Sequence, residues 1–250
     1  MEQVEAEQVS SPNFFQKLFQ VLKRNKWKTA LGVLVLFLGI EFATLPLGEI
    51  QRLRTDNPDE TAFMQFATDA AEREGKPLRI HQTWVSLRRI PQHTINAVIV
   101  AEDGTFWSHG GFDWFEFRES LRRNLTEWRF ARGASTITQQ LVKNLYLSPS
   151  KDPMRKLKEW ILTWKIESAL SKSRIIEIYL NVIEWGEGIY GVEAAAQHYF
   201  GKSASDLTRE ESARLAAVIP NPKRYHATSE SRAVLSRVST ILTRMEARGW

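Results

Sequence analysis

The chain has 250 residues, of which 43% are hydrophobic and 25% are charged. It can therefore bury a sizeable core, either in one domain with an appendage or in two small domains. It contains no cysteine, which excludes disulfides and cysteine-ligated metal sites. The formal net charge of +5 favours an anionic partner, such as nucleic acid, an anionic membrane or a phosphorylated substrate.

The N-terminal part of the chain is a polar and then basic segment, 1–28, followed by an apolar stretch. We predict a transmembrane helix over 29–47, because about 19 apolar residues suffice to cross a bilayer. A cleaved signal peptide is the alternative, although the basic and apolar regions are long and no small-residue cleavage site stands out. The positive-inside rule places 1–28 in the cytoplasm and the rest outside, which argues against nucleic acid as a partner.

We predict that the rest of the chain forms a connecting region, 48–80, followed by a main domain, 81–250. Helical spacing, capping residues and helix breakers predict a series of helices. They begin near Thr61, Asp113, Thr136, Asp152, Lys172, Val192, Thr208 and Ser231. No alternating strand series is evident, and Glu184–Gly188 is expected to be a loop. The predicted fold is mainly α.

Two adjacent carboxylates, Glu102 and Asp103, follow the apolar run 95–101 and precede His109 and a glycine pair. A carboxylate at the end of an apolar element can have a raised pKa and limited access to water, as a general acid or base requires. Alternatively, the pair marks only the polar end of a buried element. Both interpretations remain open on this stretch alone.

An unusual concentration of aromatic residues follows these carboxylates. We expect most of them to belong to the core and some to reach a membrane surface. The residues concerned are Phe106, Trp107, Phe112, Trp114, Phe115 and Phe117.

A second informative stretch begins at residue 132. Thr136 and Gln139 have the spacing of a capping box. A Gly-Ala-Ser-Thr helix start offers N–H groups and hydroxyls to an anion, and Lys143 lies about two turns further on. An ordinary capped helix is the alternative interpretation.

The helix predicted after Asp152 places Arg155 and Glu159 on one face with apolar residues. The face is therefore expected to be buried. The pair is either a simple i,i+4 ion pair or part of a charged pocket.

Several stretches together resemble one family, the peptidoglycan glycosyltransferases of glycosyltransferase family 51. The first four motifs are matched, in order, by Glu102-Asp103-x-x-Phe106-x-x-His109-x-Gly111, Gly133-x-Ser135-Thr136-Ile137-Thr138-Gln139-Gln140, Arg155-Lys156-x-x-Glu159 and Lys172-x-x-Ile175-Ile176-Glu177-x-Tyr179-Leu180-Asn181. The fifth motif is only partly matched, by Ser236-Arg237 and Ile241-Leu242. The resemblance extends over roughly residues 84–245. Within the family, the chain is similar to the monofunctional biosynthetic type.

The resemblance implies a lysozyme-like helical bundle with a membrane-proximal jaw. It also implies that the enzyme joins lipid II units into glycan strands, releases undecaprenyl pyrophosphate and inverts the anomeric centre. The implied partners are lipid II, the growing strand, the membrane and other cell-wall synthesis proteins. The implied location is the bacterial inner membrane, with one span and a periplasmic catalytic domain.

The resemblance further assigns roles to individual residues. Glu102 is the expected general base, and Glu159 is a second catalytic group. The expected substrate-binding residues are Ser135, Thr136, Gln140, Lys143, Arg155, Lys156 and Arg237, and the expected supports of the site are Asp103, Phe106, His109, Glu177 and Asn181. A Mg²⁺ or Mn²⁺ ion would help to neutralise the pyrophosphate, but no ligand cluster in the sequence demands one.

Two other functions remain as alternatives. A glycan-cleaving lysozyme or lytic transglycosylase also uses a catalytic glutamate in an α bundle, but it has no pyrophosphate for Lys143 and Arg155 to hold. A non-catalytic membrane-anchored scaffold would leave these grouped charges without a purpose.

Overall fold

The computed structural model of the chain describes residues 26–127, 135–150 and 152–250. Nearly all of the predicted cytoplasmic segment 1–28, and Gly133 of the second motif, lie outside these residues. The chain divides into two compact units, Met1–Leu45 and Pro46–Trp250.

The described part of the first unit is a helix, α1 (Lys26–Ala43), with none of its residues buried. The apolar stretch, with a mean hydropathy of 2.1, is long and apolar enough to cross a membrane. The helix ends at Ala43 rather than at the predicted Leu47. Pro46, which disfavours helical backbone at the residue before it, precedes the next helix.

The second unit is mainly helical, as predicted. Its helices are α2 (Leu47–Arg52), α3 (Ala62–Arg73), α4 (Gln92–Glu102), α5 (Trp114–Glu127), α6 (Ile137–Tyr146), α7 (Pro153–Ala169), α8 (Lys172–Val182), α9 (Val192–Phe200), α10 (Arg209–Val218) and α11 (Arg232–Glu246). Short 3₁₀ turns occupy Leu87–Arg89, Phe106–Ser108 and Ala204–Asp206.

Capping residues in the sequence begin several of these helices where they were predicted. Thr136 and Thr208 each form a complete capping box with the residue three positions on. Asp152 accepts hydrogen bonds from two backbone N–H groups of α7, and Pro153 occupies the first helical position. Side-chain chemistry thus determines these helix starts locally.

Helix α4 lies at the centre of the bundle. Its residues 94–100 are all buried, as expected for a helix that is apolar on every side. Helices α10 and α11 pack against α4 and against each other, whereas α6 packs against α7 and α8. The C-terminal end of α4 is therefore held inside the bundle.

A small three-stranded sheet interrupts the helical pattern. Strands β1 (His81–Gln82), β2 (Glu184–Gly186) and β3 (Ile189–Tyr190) occur in the order β1-β3-β2. Strand β3 pairs in parallel with β1 and in antiparallel with β2. The predicted loop at Glu184–Gly188 is therefore wrong, because strands of two or three residues are too short to show alternation.

Asn181, at the end of α8, connects this helix to the segment after β1. Its side-chain oxygen accepts from the Val85 N–H (2.8 Å) and its nitrogen donates to the Val85 carbonyl (2.9 Å). The same nitrogen donates to the Glu177 carbonyl (2.8 Å). The side chain is fully buried, so these bonds satisfy groups that water cannot reach.

Arg174 and Arg54 join the connecting region to the bundle. Arg174 donates from Nε to the Leu53 carbonyl and from Nη2 to the Asp56 carbonyl, both at 2.8 Å. Arg54 donates to the Ala169 carbonyl at the end of α7 (2.8 Å). The start of the connecting region thus packs against α7 and α8.

We expect Asn181→Ala to lower the free energy of unfolding by about 2–3 kcal/mol, because it leaves buried polar groups of Val85 without partners. Thermal unfolding in detergent measures the effect. The control is Gln197→Ala, which removes one exposed hydrogen bond of 3.3 Å to Glu193 and should change stability by less than about 0.5 kcal/mol. Equal melting temperatures for the two variants would contradict this account.

Candidate active site

Glu102 is the last residue of α4 and is half-buried. Its Oε2 accepts a hydrogen bond from Gln140 Nε2 on α6 (2.9 Å). Gln140 Oε1 in turn accepts from the Tyr179 hydroxyl on α8 (2.9 Å). Burial, together with the charges of Glu102 and Asp103, raises the pKa of Tyr179 well above its usual range, so the phenol keeps its proton and donates.

Asp103, the adjacent carboxylate, lies in the interior and is 6% exposed. It accepts from His109 Nε2 (2.9 and 3.1 Å) and from the N–H of Ile137 at the start of α6 (3.0 Å). His109 Nδ1 accepts from the Gly111 N–H (3.1 Å), which leaves the ring proton on Nε2. This geometry is that of a support for the turn after Glu102.

Gly111 lies where the turn meets α7. Its φ is +91°, and a Cβ atom at this position would lie 2.8 Å from side-chain carbons of both Thr163 and Glu167. Phe106, in the same turn, is fully buried, and Lys172 Nζ lies 4.4 Å from its ring centroid. Backbone conformation and close packing both demand glycine at position 111.

The start of α6 differs from the predicted anion site. Thr136 is 3% exposed, and its hydroxyl donates to the Gly111 carbonyl (2.7 Å) while accepting from the Gln139 N–H. The Thr136 N–H donates to Gln139 Oε1, and the Ile137 N–H donates to Asp103. These groups have partners inside the protein, so Thr136 serves as a helix cap, and its role in substrate binding stays a prediction.

Glu159 lies on the buried face of α7, as the helical spacing predicted, and is 3% exposed. It accepts from Arg155 Nη1 (2.9 Å) and from Lys156 Nζ. Arg155 Nε is buried, and no group in the described part of the chain accepts a hydrogen bond from it. The Arg155–Glu159 ion pair is therefore part of a larger group of charges around Glu159, which we call the charged pocket. One guanidinium donor of Arg155 is still available there.

Lys143, on α6, completes this group of charges. Burial lowers the pKa of Lys143; Glu159 counteracts the effect, Arg155 and Lys156 add to it, and Glu102 also counteracts it. Within the described ranges its ammonium forms no salt bridge, and it lies 5.6 Å from the centroid of the Phe63 ring on α3. We call Lys143, Arg155 and Lys156 the cation cluster.

Lys143 and the charged groups that act on it do not balance. Three cations of the cluster face two carboxylates, Glu102 and Glu159. The excess of positive charge is partly withdrawn from water, where its attraction for an anion is strengthened. The arrangement can bind a phosphate-containing group close to a carboxylate.

A cleft with a volume of about 230 Å³ lies beside the cation cluster. The Phe112 and Trp114 rings stack in it at 5.7 Å between centroids, and Trp160 meets Phe112 edge-on at 6.3 Å. The lining residues are Phe112, Asp113, Trp114, Phe117, Ser135, Gln139, Lys156 and Trp160. Ser135, which was expected to bind substrate, is half-buried at this cleft.

The expectation that most of the aromatic residues between 106 and 117 belong to the core is wrong. Phe106 is buried, but Phe115 is 74% exposed. Trp107, Trp114 and Phe117 are also exposed. Within the described ranges α5 has no extensively packed helix partner, so these α5 side chains stay largely exposed.

The structure does not bring all of the expected site residues together. Arg237 is half-buried on α11, whose main packing partners are α4 and α10 rather than α6 and α7. Glu177 pairs with Arg174 at 3.4 Å, and Asn181 binds the segment after β1. The placement of Glu177 and Asn181 agrees with support of the fold, and a substrate-binding role for Arg237 stays a prediction.

Sequence reasoning assigned no role to three residues that contact the site. Tyr179 reaches Gln140, Phe63 lies over Lys143, and Glu167 accepts from Thr138 and from Lys172. Tyr179 occurs within the fourth motif, which was the available signal. The contacts of Phe63 and Glu167 depend on tertiary packing and have no local signature.

A metal ion is not supported by the donor groups present. Among the described residues, no three His, Asp or Glu side chains lie close enough together to hold a metal ion. Both oxygens of Glu159 already accept from cations. The described residues of the charged pocket thus do not fit a Mg²⁺ or Mn²⁺ site.

Comparison with known proteins relates these features to a family. The family model described as transglycosylase matches residues 71–246. A biosynthetic peptidoglycan transglycosylase of Methylobacillus flagellatus is 45% identical over 189 residues, covering 76% of this chain and 82% of the relative. Proteins of the same description from Nitrosomonas eutropha and an Azoarcus species are 43% and 48% identical, covering 88% and 69% of this chain and 90% and 74% of their own lengths.

The two neighbouring glycines of the turn allow a matched test. We expect Gly111→Ala to destabilise the protein by about 1–3 kcal/mol, because alanine is strained at positive φ and its Cβ would meet α7. Gly110→Ala is the control, since a Cβ there meets no atom within 4 Å. Thermal unfolding compares the two, and a Gly111→Ala variant as stable as Gly110→Ala would show that the turn is not held as described.

Proposed function

The chain belongs to the transglycosylase family and is a glycosyltransferase that acts on peptidoglycan; on this premise, we propose that it polymerises lipid II into glycan strands and releases undecaprenyl pyrophosphate. The observation that carries this proposal is the cation cluster beside Glu102. A carboxylate can accept a proton from the sugar hydroxyl, and the neighbouring cations can receive the pyrophosphate.

The proposed reaction is a one-step displacement. The 4-hydroxyl of the acceptor sugar attacks the anomeric carbon of the donor, and its proton passes to Glu102. The bond between the anomeric carbon and the pyrophosphate oxygen breaks, and its electron pair leaves with the pyrophosphate. Because the donor is α-linked and the product bond is β-1,4, a single displacement accounts for the inversion.

The leaving group gains negative charge during this step, and the cation cluster can stabilise it. Among the described residues, no carboxylate is bound to the Lys143 ammonium and no acceptor is bound to Arg155 Nε. Hydrogen bonds from cations to phosphate oxygens are roughly twice as strong as neutral ones. Such donors lower the barrier most when they are fixed before the reaction begins.

Glu159 fixes two of these donors. It binds Arg155 and Lys156 through opposite oxygens and is itself buried. We therefore assign Glu159 the role of orienting the cations rather than that of a second base. Loss of this carboxylate would leave two like charges close together without their shared counterion.

The membrane location of lipid II accords with the position of the apolar helix. Helix α1 can serve as a single membrane span, with the N-terminus in the cytoplasm and the catalytic unit in the periplasm of the inner membrane. The exposed rings of Trp114, Phe115 and Trp164, with Lys165 beside Trp164, suit contact with the lipid interface.

The alternative of a glycan-cleaving enzyme accounts less well for the charged pocket. Cleavage of a glycan bond has no diphosphate leaving group, so a desolvated cation such as Lys143 would serve no purpose there. The cation cluster favours synthesis over cleavage.

We expect Glu102→Gln to abolish polymerisation of labelled lipid II in detergent, because an amide cannot accept the hydroxyl proton. The loss should be at least about 10²-fold, within the usual contribution of a general base. The control is Glu246→Gln, an exposed carboxylate on α11. Both variants should melt at the wild-type temperature.

Full polymerisation by Glu102→Gln would remove this residue as the base. Shortening of added glycan by the wild-type protein, without growth of polymer from lipid II, would instead indicate the cleaving enzyme.

We expect Lys143→Met to weaken use of the lipid II donor and to raise the melting temperature by roughly 2–4 °C. Burial lowers the pKa of Lys143 below its usual 10.5, so the charged form disfavours folding at neutral pH. Methionine retains the apolar contact with Phe63. The free-energy cost of burying charged Lys143 disappears as the wild-type side chain loses its proton. The difference in melting temperature between Lys143→Met and the wild type should therefore narrow as the pH rises towards 10.5.

The control for this variant is Lys76→Met, an exposed lysine after α3. Its melting temperature and polymerisation kinetics should match those of the wild type. If Lys143→Met also retained wild-type kinetics, the assignment of the cation cluster to the pyrophosphate would be wrong.

A further inference from the structure

We propose that Tyr179 is a positioning residue for Glu102 and that it acts through the side-chain amide of Gln140. This inference rests on the proposed function, in which Glu102 is the base. Tyr179 does not touch the carboxylate. Its hydroxyl donates to Gln140 Oε1 and Gln140 Nε2 donates to Glu102 Oε2, both at 2.9 Å.

The direction of these hydrogen bonds follows from charge. The carboxylate of Glu102 accepts but cannot donate, so it requires the nitrogen of the Gln140 amide. The oxygen of that amide then faces Tyr179, which supplies its only proton. A reversed amide would bring its oxygen against a carboxylate oxygen and would place two acceptors in contact. These two hydrogen bonds, from Tyr179 to Gln140 and from Gln140 to Glu102, form what we call the relay. The relay therefore has one stable orientation.

The rigidity of the relay comes from α8. Tyr179 is fully buried, and its neighbours Ile178 and Leu180 are buried as well. Gln140 is also anchored on its own helix, where its carbonyl accepts from Asn144 Nδ2 (2.8 Å). A well-packed helix thus fixes an amide, and the amide fixes one oxygen of a carboxylate at the end of another helix.

This restraint matters because Glu102 has a flexible side chain at a helix terminus. A general base must lie within about 3 Å of the hydroxyl that it deprotonates. A misplacement of about 1 Å at a reacting group can slow a reaction by about 100-fold. Loss of the Tyr179 hydroxyl removes one of the two side-chain hydrogen bonds that hold the Gln140 amide, so the amide restrains the Glu102 carboxylate less firmly.

The first experiment measures lipid II polymerisation by the full-length Tyr179→Phe variant. We expect kcat to fall by about tenfold, as for the loss of one indirect hydrogen bond to a charged group, while KM for lipid II stays within about twofold of wild type. Tyr190→Phe on β3 is the control, because Tyr190 is also almost fully buried and should leave kcat unchanged. A wild-type kcat for Tyr179→Phe, or a change confined to KM, overturns the inference.

A double-mutant cycle tests whether the effect passes through Gln140. If it does, Tyr179→Phe should not lower kcat further in a protein that already carries Gln140→Ala. Two independent effects that multiply in the double variant would contradict the relay. If Tyr179→Phe did not fold, Gln140→Leu would decide the matter, since a fall in kcat at constant KM supports the relay and a rise in KM alone overturns it.

The failure of this inference and the failure of the proposed function have different signatures. Wild-type protein that does not polymerise lipid II, or an active Glu102→Gln variant, overturns the proposed function. An active wild type with an inactive Glu102→Gln variant and a Tyr179→Phe variant of undiminished kcat overturns only the role of Tyr179.

Discussion

The buried carboxylate of Asp103 is the constraint on which the rest of the site depends. It accepts from His109 in the turn after α4 and from the N–H of Ile137 at the start of α6. It therefore joins the turn to α6 through Ile137, which lies 34 positions after Asp103 in the chain. Glu102, the preceding residue, is thereby held beside α6, where Gln140 binds it. A neutral residue at position 103 would lose the charge-assisted bonds that hold this arrangement together.

Stability and function are in opposition in the charged pocket. Glu159 compensates Arg155 and Lys156, but Lys143 is half-buried without a bound carboxylate among the described residues. An isolated desolvated charge is unfavourable in the folded protein. Under the proposed function, the pyrophosphate that binds there would recover this energy.

Much of the fold is local in origin and could be predicted from the sequence. Capping residues at Thr136, Asp152 and Thr208 and the apolar run of α4 determine helix positions without reference to distant residues. The strands around Gly186 were missed because each has only two or three residues. The expected burial of the aromatic residues was wrong for another reason, since burial depends on which tertiary partner covers a surface.

The central claim, that Glu102 meets the acceptor hydroxyl while the cation cluster binds the pyrophosphate, can be observed directly in a crystal structure of full-length Glu102→Gln protein with lipid II. The account predicts pyrophosphate oxygens in contact with Lys143 and Arg155. It also predicts an acceptor 4-hydroxyl within about 3 Å of the side chain at position 102. A pyrophosphate bound away from the cation cluster, or an acceptor hydroxyl beside a different carboxylate, would contradict it.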